Sequence, residues 1–167
     1  RSDNWAMPEE VNRVLTDRCS DLLFVPSERA GETLADEGIT DGVAVTGDVM
    51  YDAVTRVRDR APSASTVLGD LGYGDGEYVL ATVHRQANTD DPARLASVVD
   101  GLASSPRPVV VPLHPRTEDA LKRHGLWERA TAELAVIEPV GYLDFVGLLD
   151  GAERVATDSG GVQKEAF

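Results

Sequence analysis

Apolar residues in "MPEEVNRVLTDRCSDLLF" recur at helical spacing. Val11, Leu15 and Cys19 share one face, Pro8 suits a first turn, and Glu9 and Glu10 favour the positive end of a helix of about three turns. The run "LLFVPS" (22–27) reads as a buried strand closed by Pro26, with Ser27 placed to cap the helix "ERAGETLADEG" that stops at Gly38. "GVAVTG" is a further short strand, and a helix "DVMYDAVTRVRDR" starts from Asp48. The stretch "APSASTVLGDLGYGDGE" (61–77), rich in Gly, Pro and Ser, reads as a linker or surface excursion.

Beyond it the alternation becomes regular. "YVLATVH" (78–84), "PVVVPLH" (108–114), "LAVIEP" (134–139) and "RVATDS" (154–159) are near-continuous apolar strands. Between them lie the helical patterns "DPARLASVVDGLAS" (91–104), "RTEDALKRHG" (116–125) and "YLDFVGLLDGA" (142–152). Strands apolar on both faces belong to a parallel sheet covered by helices on both sides, so this part of the chain reads as a doubly wound α/β domain. No internal repeat or low-complexity tract interrupts it.

Length and charge narrow the class. The 167 residues suffice for one ordinary domain or for a piece of a larger two-domain protein, and an ending in mid-pattern, "VATDSGGVQKEAF", favours the piece. The formal net charge is -13, from 29 acidic and 16 basic residues, and only Lys122 and Lys164 are lysines. That balance excludes nucleic acid as a partner, since phosphate contacts draw mainly on Lys and Arg. An acidic, Lys-poor surface is how a protein stays soluble where salt screens charge at short range, so a halophilic source is expected. A single cysteine, Cys19, excludes an intrachain disulfide and fits a reducing compartment. With no apolar run of membrane-spanning length and no signal-like segment, the chain reads as soluble, cytoplasmic and without a membrane partner.

In open parallel sheets ligands bind outside the carboxyl ends of the strands. The notable polar residues fall there: His84 and Arg85, His114 and Arg116, Gly141 and Tyr142, and Ser159, Gly160 and Gly161 follow four successive strands. Ser159 suits a helix cap, and two glycines let an anion approach bare N–H groups at the positive end of that helix, so phosphate or pyrophosphate is the natural ligand. The competing reading is steric, because a strand-to-helix turn wants small residues anyway. Glu165, six residues beyond Ser159, is placed to accept from a sugar hydroxyl. His84 reads either as a core or capping histidine or, beside Arg85, as a donor to phosphate. His114 before Pro115 fixes its loop, and His124 at a polar helix end reads as solvated. One cysteine and scattered histidines make no metal cluster. By pattern alone Glu9 and Glu10 are helix N-terminal charges, and Trp5, Trp127 and Phe145 are packing residues.

Six blocks in order, "RSDNWAMPEEVNRVLTDRCSDLLFVPSERA", "TGDVMYDA", "TVHRQAN", "VPLHPRT", "PVGYLDFVGLLDGA" and "TDSGGVQKEAF", resemble the non-hydrolysing UDP-N-acetylglucosamine 2-epimerases of bacteria and archaea. The resemblance implies a GT-B-like α/β fold of doubly wound, Rossmann-like domains, incomplete in this chain, with the active site between the two domains. Residues 1–48 would end the first domain, 49–77 would be a connecting helix and linker, and 78–167 would begin the UDP-binding domain. It implies interconversion of UDP-N-acetylglucosamine and UDP-N-acetylmannosamine by anti elimination and re-addition of UDP, feeding surface glycans, with neither nicotinamide nor metal as cofactor. The whole protein would be a homodimer.

Carried over by position, Ser159, Gly160 and Gly161 would bind the diphosphate with help from Arg85, and Glu165 would bind the ribose. Tyr142 would belong to the uracil-side loop. His84 would stand close to the leaving diphosphate. Glu9 would be a catalytic carboxylate, overturning its bland reading, and Arg13 would share its motif. One position departs from the pattern: the family has "HRxEN" where this chain has "HRQAN", with Ala87 in place of the glutamate. That bears on loop positioning and activity, not on the diphosphate site. The alternatives are a GT-B glycosyltransferase sharing the UDP site, and a UDP-sugar-binding module without catalysis.

Overall fold

A computed structural model describes residue 5 and residues 7–60 and 66–166. Expectations resting on 1–4, on Ala6, on the start of the Gly/Pro/Ser-rich stretch (61–65) and on Phe167 lie outside the described residues. The chain divides into two compact units, Arg1–Asp52 and Ala53–Phe167.

The first unit runs α1 (Pro8–Cys19), β1 (Leu23–Val25), α2 (Glu28–Asp36), β2 (Val43–Val45). The two strands pair in parallel with Leu23 opposite Val43. Leu23, Val25 and Leu34 form a small core, joined by Ala30, Ile39 and Val43. Strand β1 was expected to be buried throughout. Within this unit it alternates instead, with Leu23 and Val25 inward and Phe24 69% exposed, because α2 covers only one face. The Ser27 hydroxyl caps α2 by accepting from the Ala30 amide at 3.3 Å. Gly42 has φ of 71°, and a Cβ there would lie 2.1 Å from the Asp21 carbonyl oxygen, so only glycine fits the turn before β2. Trp5, expected to pack, is 64% exposed. On α1 the buried carboxylate is Glu10, paired with Arg13 at 3.1 Å, while Glu9 is exposed.

The division between units falls within α3 (Val49–Arg58). Then follow α4 (Val67–Leu71), β3 (Val79–Thr82), α5 (Gln86–Thr89), α6 (Pro92–Ala103), β4 (Val109–Pro112), α7 (Pro115–Arg123), α8 (Trp127–Glu133), β5 (Ala135–Ile137), α9 (Tyr142–Gly151), β6 (Arg154–Thr157) and α10 (Gly160–Glu165). The sheet order is β5-β4-β3-β6, all parallel. Its side chains alternate between two cores, as the period of a strand requires. Ala81, Val109 and Val111 face Leu95 and Val99 of α6, Ala120 and Leu121 of α7, and Ala130 of α8. Leu80 and Val110 face Leu148 of α9 on the other side. Helices thus cover both faces, which is the doubly wound arrangement read from the apolar runs.

Three features differ from the reading of the sequence or add to it. In the stretch read as linker, α4 lays Val67, Leu68 and Leu71 against the core of Tyr78, Leu80 and Leu148. Tyr78 is fully buried and donates to the Leu148 carbonyl at 2.5 Å, and burial beside Asp75 and Asp150 pushes its phenol far above the ordinary range. A Cβ on Gly151 would sit 3.0 Å from both that hydroxyl and the Asp75 carboxylate. His124, read as solvated, is half-buried with Nε2 3.2 Å from the Thr89 carbonyl, because α7 packs beside α5. Trp127 is partly buried against the core as expected, under the Lys122 ammonium 4.8 Å from its ring centre.

Candidate functional site at the strand ends

Because the four strands are parallel, the loops after β3, β4, β5 and β6 emerge at one end of the sheet. Strands β3 and β6 are direct neighbours, with Thr82 opposite Thr157 and their hydroxyls 2.6 Å apart. The loop carrying His84 and Arg85 therefore lies beside the one carrying Ser159, Gly160 and Gly161.

Asp158 joins the two loops. Its carboxylate accepts from the backbone N–H of His84 at 3.1 Å, from that of Arg85 at 2.9 Å and from the Asn88 side-chain amide at 2.9 Å, while His84 Nδ1 stands 3.4 Å from Oδ1. Burial would raise its pKa, but the bonds from Arg85, Asn88 and His84 outweigh it and hold the carboxyl below the usual range. The group is a fixed anion that ties β6 to α5.

On the other side of Asp158, Ser159 is the N-cap of α10. Its hydroxyl accepts from the Val162 amide at 3.3 Å, and its own N–H donates to Thr157 Oγ1 at 2.9 Å. The first N–H groups of a helix have no partner within it. A Cβ on Gly160 would meet no atom within 4 Å among the described residues, and its φ is not positive. The steric reading of Gly160 therefore finds no support in the chain's own packing, and the residue leaves open space over the amides.

His84 is about half-exposed, which sets aside its reading as a core histidine, and Arg85 is exposed with no partner for its guanidinium among the described residues. His114 caps α7, its Nδ1 accepting from the Arg116 N–H at 3.2 Å, so it fixes its loop as read, while Arg116, expected on the rim, pairs with Asp90 at 3.6 Å. Tyr142 opens α9 and donates to Glu165 Oε1 at 2.9 Å. Its phenol is raised, by burial and then by this bond to a carboxylate. Ala87 is exposed, and its carbonyl accepts from Arg94 at 3.3 Å.

The structure thus gathers His84, Arg85, Ser159, Gly160 and Gly161 on adjoining loops and links Tyr142 to Glu165, while Glu9 and Arg13 stand on α1 of the first unit. Reading the sequence missed Asp158 and Asn88 as organisers. Their signal was a polar residue inside each of two quoted blocks, in "TDS" and in "QAN". Among the described residues no group of three or more His, Cys, Asp or Glu is placed to hold a metal ion, and no helix is long and apolar enough to cross a membrane.

A family model described as UDP-N-acetylglucosamine 2-epimerase matches residues 1–167. A UDP-N-acetylglucosamine 2-epimerase homolog of Methanococcus maripaludis is 41% identical over all of this chain and 48% of its own length. The UDP-2,3-diacetamido-2,3-dideoxy-D-glucuronate 2-epimerase of Pseudomonas aeruginosa is 48% identical over all of this chain and 46% of its own. Among solved structures, the UDP-GlcNAc 2-epimerase of Methanocaldococcus jannaschii in complex with UDP-GlcNAc and UDP superposes with a TM-score of 0.89 at 38% identity, over 99% of this chain and 48% of that one. These neighbours agree with the GT-B-like α/β class read from the sequence. The chain spans about half the length of the curated relatives it matches.

Proposed function

The chain belongs to the UDP-N-acetylglucosamine 2-epimerase family, and on that footing we propose that the protein inverts C2 of UDP-N-acetylglucosamine to give UDP-N-acetylmannosamine. The observation that carries this reading is the open N-terminus of α10 beside the loop that carries His84 and Arg85: capped by Ser159 and uncovered at Gly160, with an Arg85 guanidinium that has no partner among the described residues. That is a seat for a diphosphate.

The reaction needs such a seat. A base takes the C2 proton while the C1–O bond to UDP breaks, leaving a 2-acetamidoglucal and free UDP. UDP then adds back to C1 as C2 is protonated from the opposite face. The charge that develops on the departing diphosphate falls on the amides of Gly160 and Gly161, on Arg85 and on His84, and preorganised donors of this kind are worth roughly 3 to 4 kcal/mol each when removed singly. Glu165 and Tyr142 bind the ribose and uracil side. Glu9, with Arg13 beside it in sequence, supplies a carboxylate to the proton transfers. Residues 78–167 hold the UDP site, and the complete enzyme acts in the cytoplasm as a homodimer without a cofactor. The exposed free thiol of Cys19 fits that compartment.

The test is to supply UDP-N-acetylglucosamine to the full-length gene product in deuterated water and follow C2 by proton NMR. UDP-N-acetylmannosamine with deuterium at C2 is the expected product; UDP with free sugar would indicate a hydrolase, and binding without turnover a UDP-sugar-binding module. The Pseudomonas relative favours a second reading, in which the substrate is UDP-2,3-diacetamido-2,3-dideoxy-D-glucuronate, so that sugar is assayed in parallel.

A further inference from the structure

Two loops that meet at the rim share one carboxylate, and one residue contributes to it twice. Both the backbone N–H of His84 and its ring nitrogen Nδ1 approach Asp158 Oδ1, at 3.1 and 3.4 Å. Oδ2 is occupied by the Arg85 N–H and the Asn88 amide, each at 2.9 Å, so the carboxylate cannot turn away from the ring without breaking them. Nε2 of His84 meets no partner among the described residues. Which nitrogen of an imidazole carries the proton is set by the hydrogen bond that the other makes.

We propose that Asp158 is a positioning residue for His84: it holds the ring with the proton on Nδ1, leaving Nε2 as the nitrogen that exchanges a proton with whatever anion occupies the rim. The carboxylate itself is largely buried, 12% exposed, and bonded to the His84 and Arg85 N–H groups. It acts through the histidine, orienting the ring in the neutral state and stabilising the imidazolium once Nε2 takes a proton. The fixed negative charge supports this, since an anionic carboxylate accepts from Nδ1–H and cannot donate to it. For turnover the inference rests on the epimerase reading above; for the state of the ring it does not.

The experiment is a long-range proton–nitrogen correlation on the histidine-labelled full-length gene product at about pH 9, above the ordinary imidazole range. The His84 signals are assigned by their loss in His84→Gln. The expected wild-type pattern is protonated Nδ1 with bare Nε2, reversing in Asp158→Asn, whose amide donates toward the ring. Asn88→Ala removes one bond from the same carboxylate but leaves the ring contact, and keeps the wild-type pattern. A bare Nδ1 in the wild type, or a pattern that Asp158→Asn leaves unchanged, overturns the proposal; should that variant not fold, the wild-type and Asn88→Ala spectra decide it. In turnover, Asp158→Asn lowers kcat about 100-fold with KM within about threefold, as for loss of a group that acts only in the transition state. An equal kcat loss in Asn88→Ala would make the effect structural and overturn it. If the wild type epimerises neither UDP-sugar, the functional reading fails while the ring spectrum still tests Asp158.

Discussion

The hydroxyl of Tyr142 donates to Glu165 Oε1 across 2.9 Å, tying the first residue of α9 to the last of α10. Two helices that start from different strand ends are thereby latched by a tyrosine and a carboxylate. The latch holds Glu165 through one carboxylate oxygen.

Breaking the latch weakens UDP binding more than it weakens the fold. Tyr142→Phe lowers UDP affinity about threefold to tenfold, and Glu165→Gln about tenfold, the scale of one hydrogen bond to a charged group. Calorimetric titration with UDP measures both. The raised Tyr142 phenol also returns part of the way toward the ordinary range in Glu165→Gln, read from phenolate absorbance as pH rises. An unchanged titration would show that burial alone sets it.

Gly160→Ala separates two accounts of the "SGG" turn. A methyl there meets no atom of the described residues within 4 Å and no strained backbone, so thermal stability stays within about 0.5 kcal/mol of the wild type. If a diphosphate rests against this backbone, UDP affinity falls at least about tenfold, because the methyl occupies the space of the phosphate oxygens. Loss of stability with binding intact would favour packing instead.

His84→Gln keeps a side chain able to donate but unable to exchange a proton. Epimer formation falls about 100-fold or more while UDP affinity changes by less than about tenfold. Progress curves followed by NMR, paired with UDP titration, separate the two effects; equal losses in both would make His84 a binding residue only.

Asp158 gives stability an acid limb. Its carboxyl has a folded pKa below the unfolded value of about 3.9. The contribution is therefore complete above that unfolded value and is lost as pH falls through the lower folded one. In urea melts, the gap between wild type and Asp158→Asn is widest near neutral pH and closes as pH falls below the ordinary carboxylate range. A gap independent of pH would mean that shape, rather than charge, is what the substitution removes.

A formal charge of -13 with 2 lysines makes self-repulsion a standing cost of the folded state in dilute buffer. Melting temperature should rise steeply with KCl toward molar concentration. A flat dependence would remove the halophilic reading.

Much of the fold was legible because both periodicities were clean. The apolar runs at 79–82 and 109–112 and the caps Ser27 and Ser159 mark elements that the structure contains. Helix α4 was hidden because Gly69 and Gly72 within and after it look like turn residues, although Val67, Leu68 and Leu71 carry its apolar face. Helix α5 has four residues, too short to show a period. The rim was legible from strand ends alone. The part played by Asp158 was not, since it depends on β6 lying beside β3 rather than beside β5, and strand order is a property of the sheet that no local pattern encodes.

That strand order also fixes when the rim can exist. Strands β5, β4 and β3 stand side by side in that order and are complete in the chain before β6 is made, whereas the bond from Arg85 to Asp158 closes a span of 73 residues. Contacts of such separation are the slow ones, since the entropy of closing the loop is lost before the contact forms. During synthesis a three-stranded sheet is able to assemble while the His84–Asn88 loop still lacks the carboxylate that holds it. The rim is therefore completed in one late event, the docking of β6, and on the proposed reading the gain of UDP binding during refolding is expected to time that event.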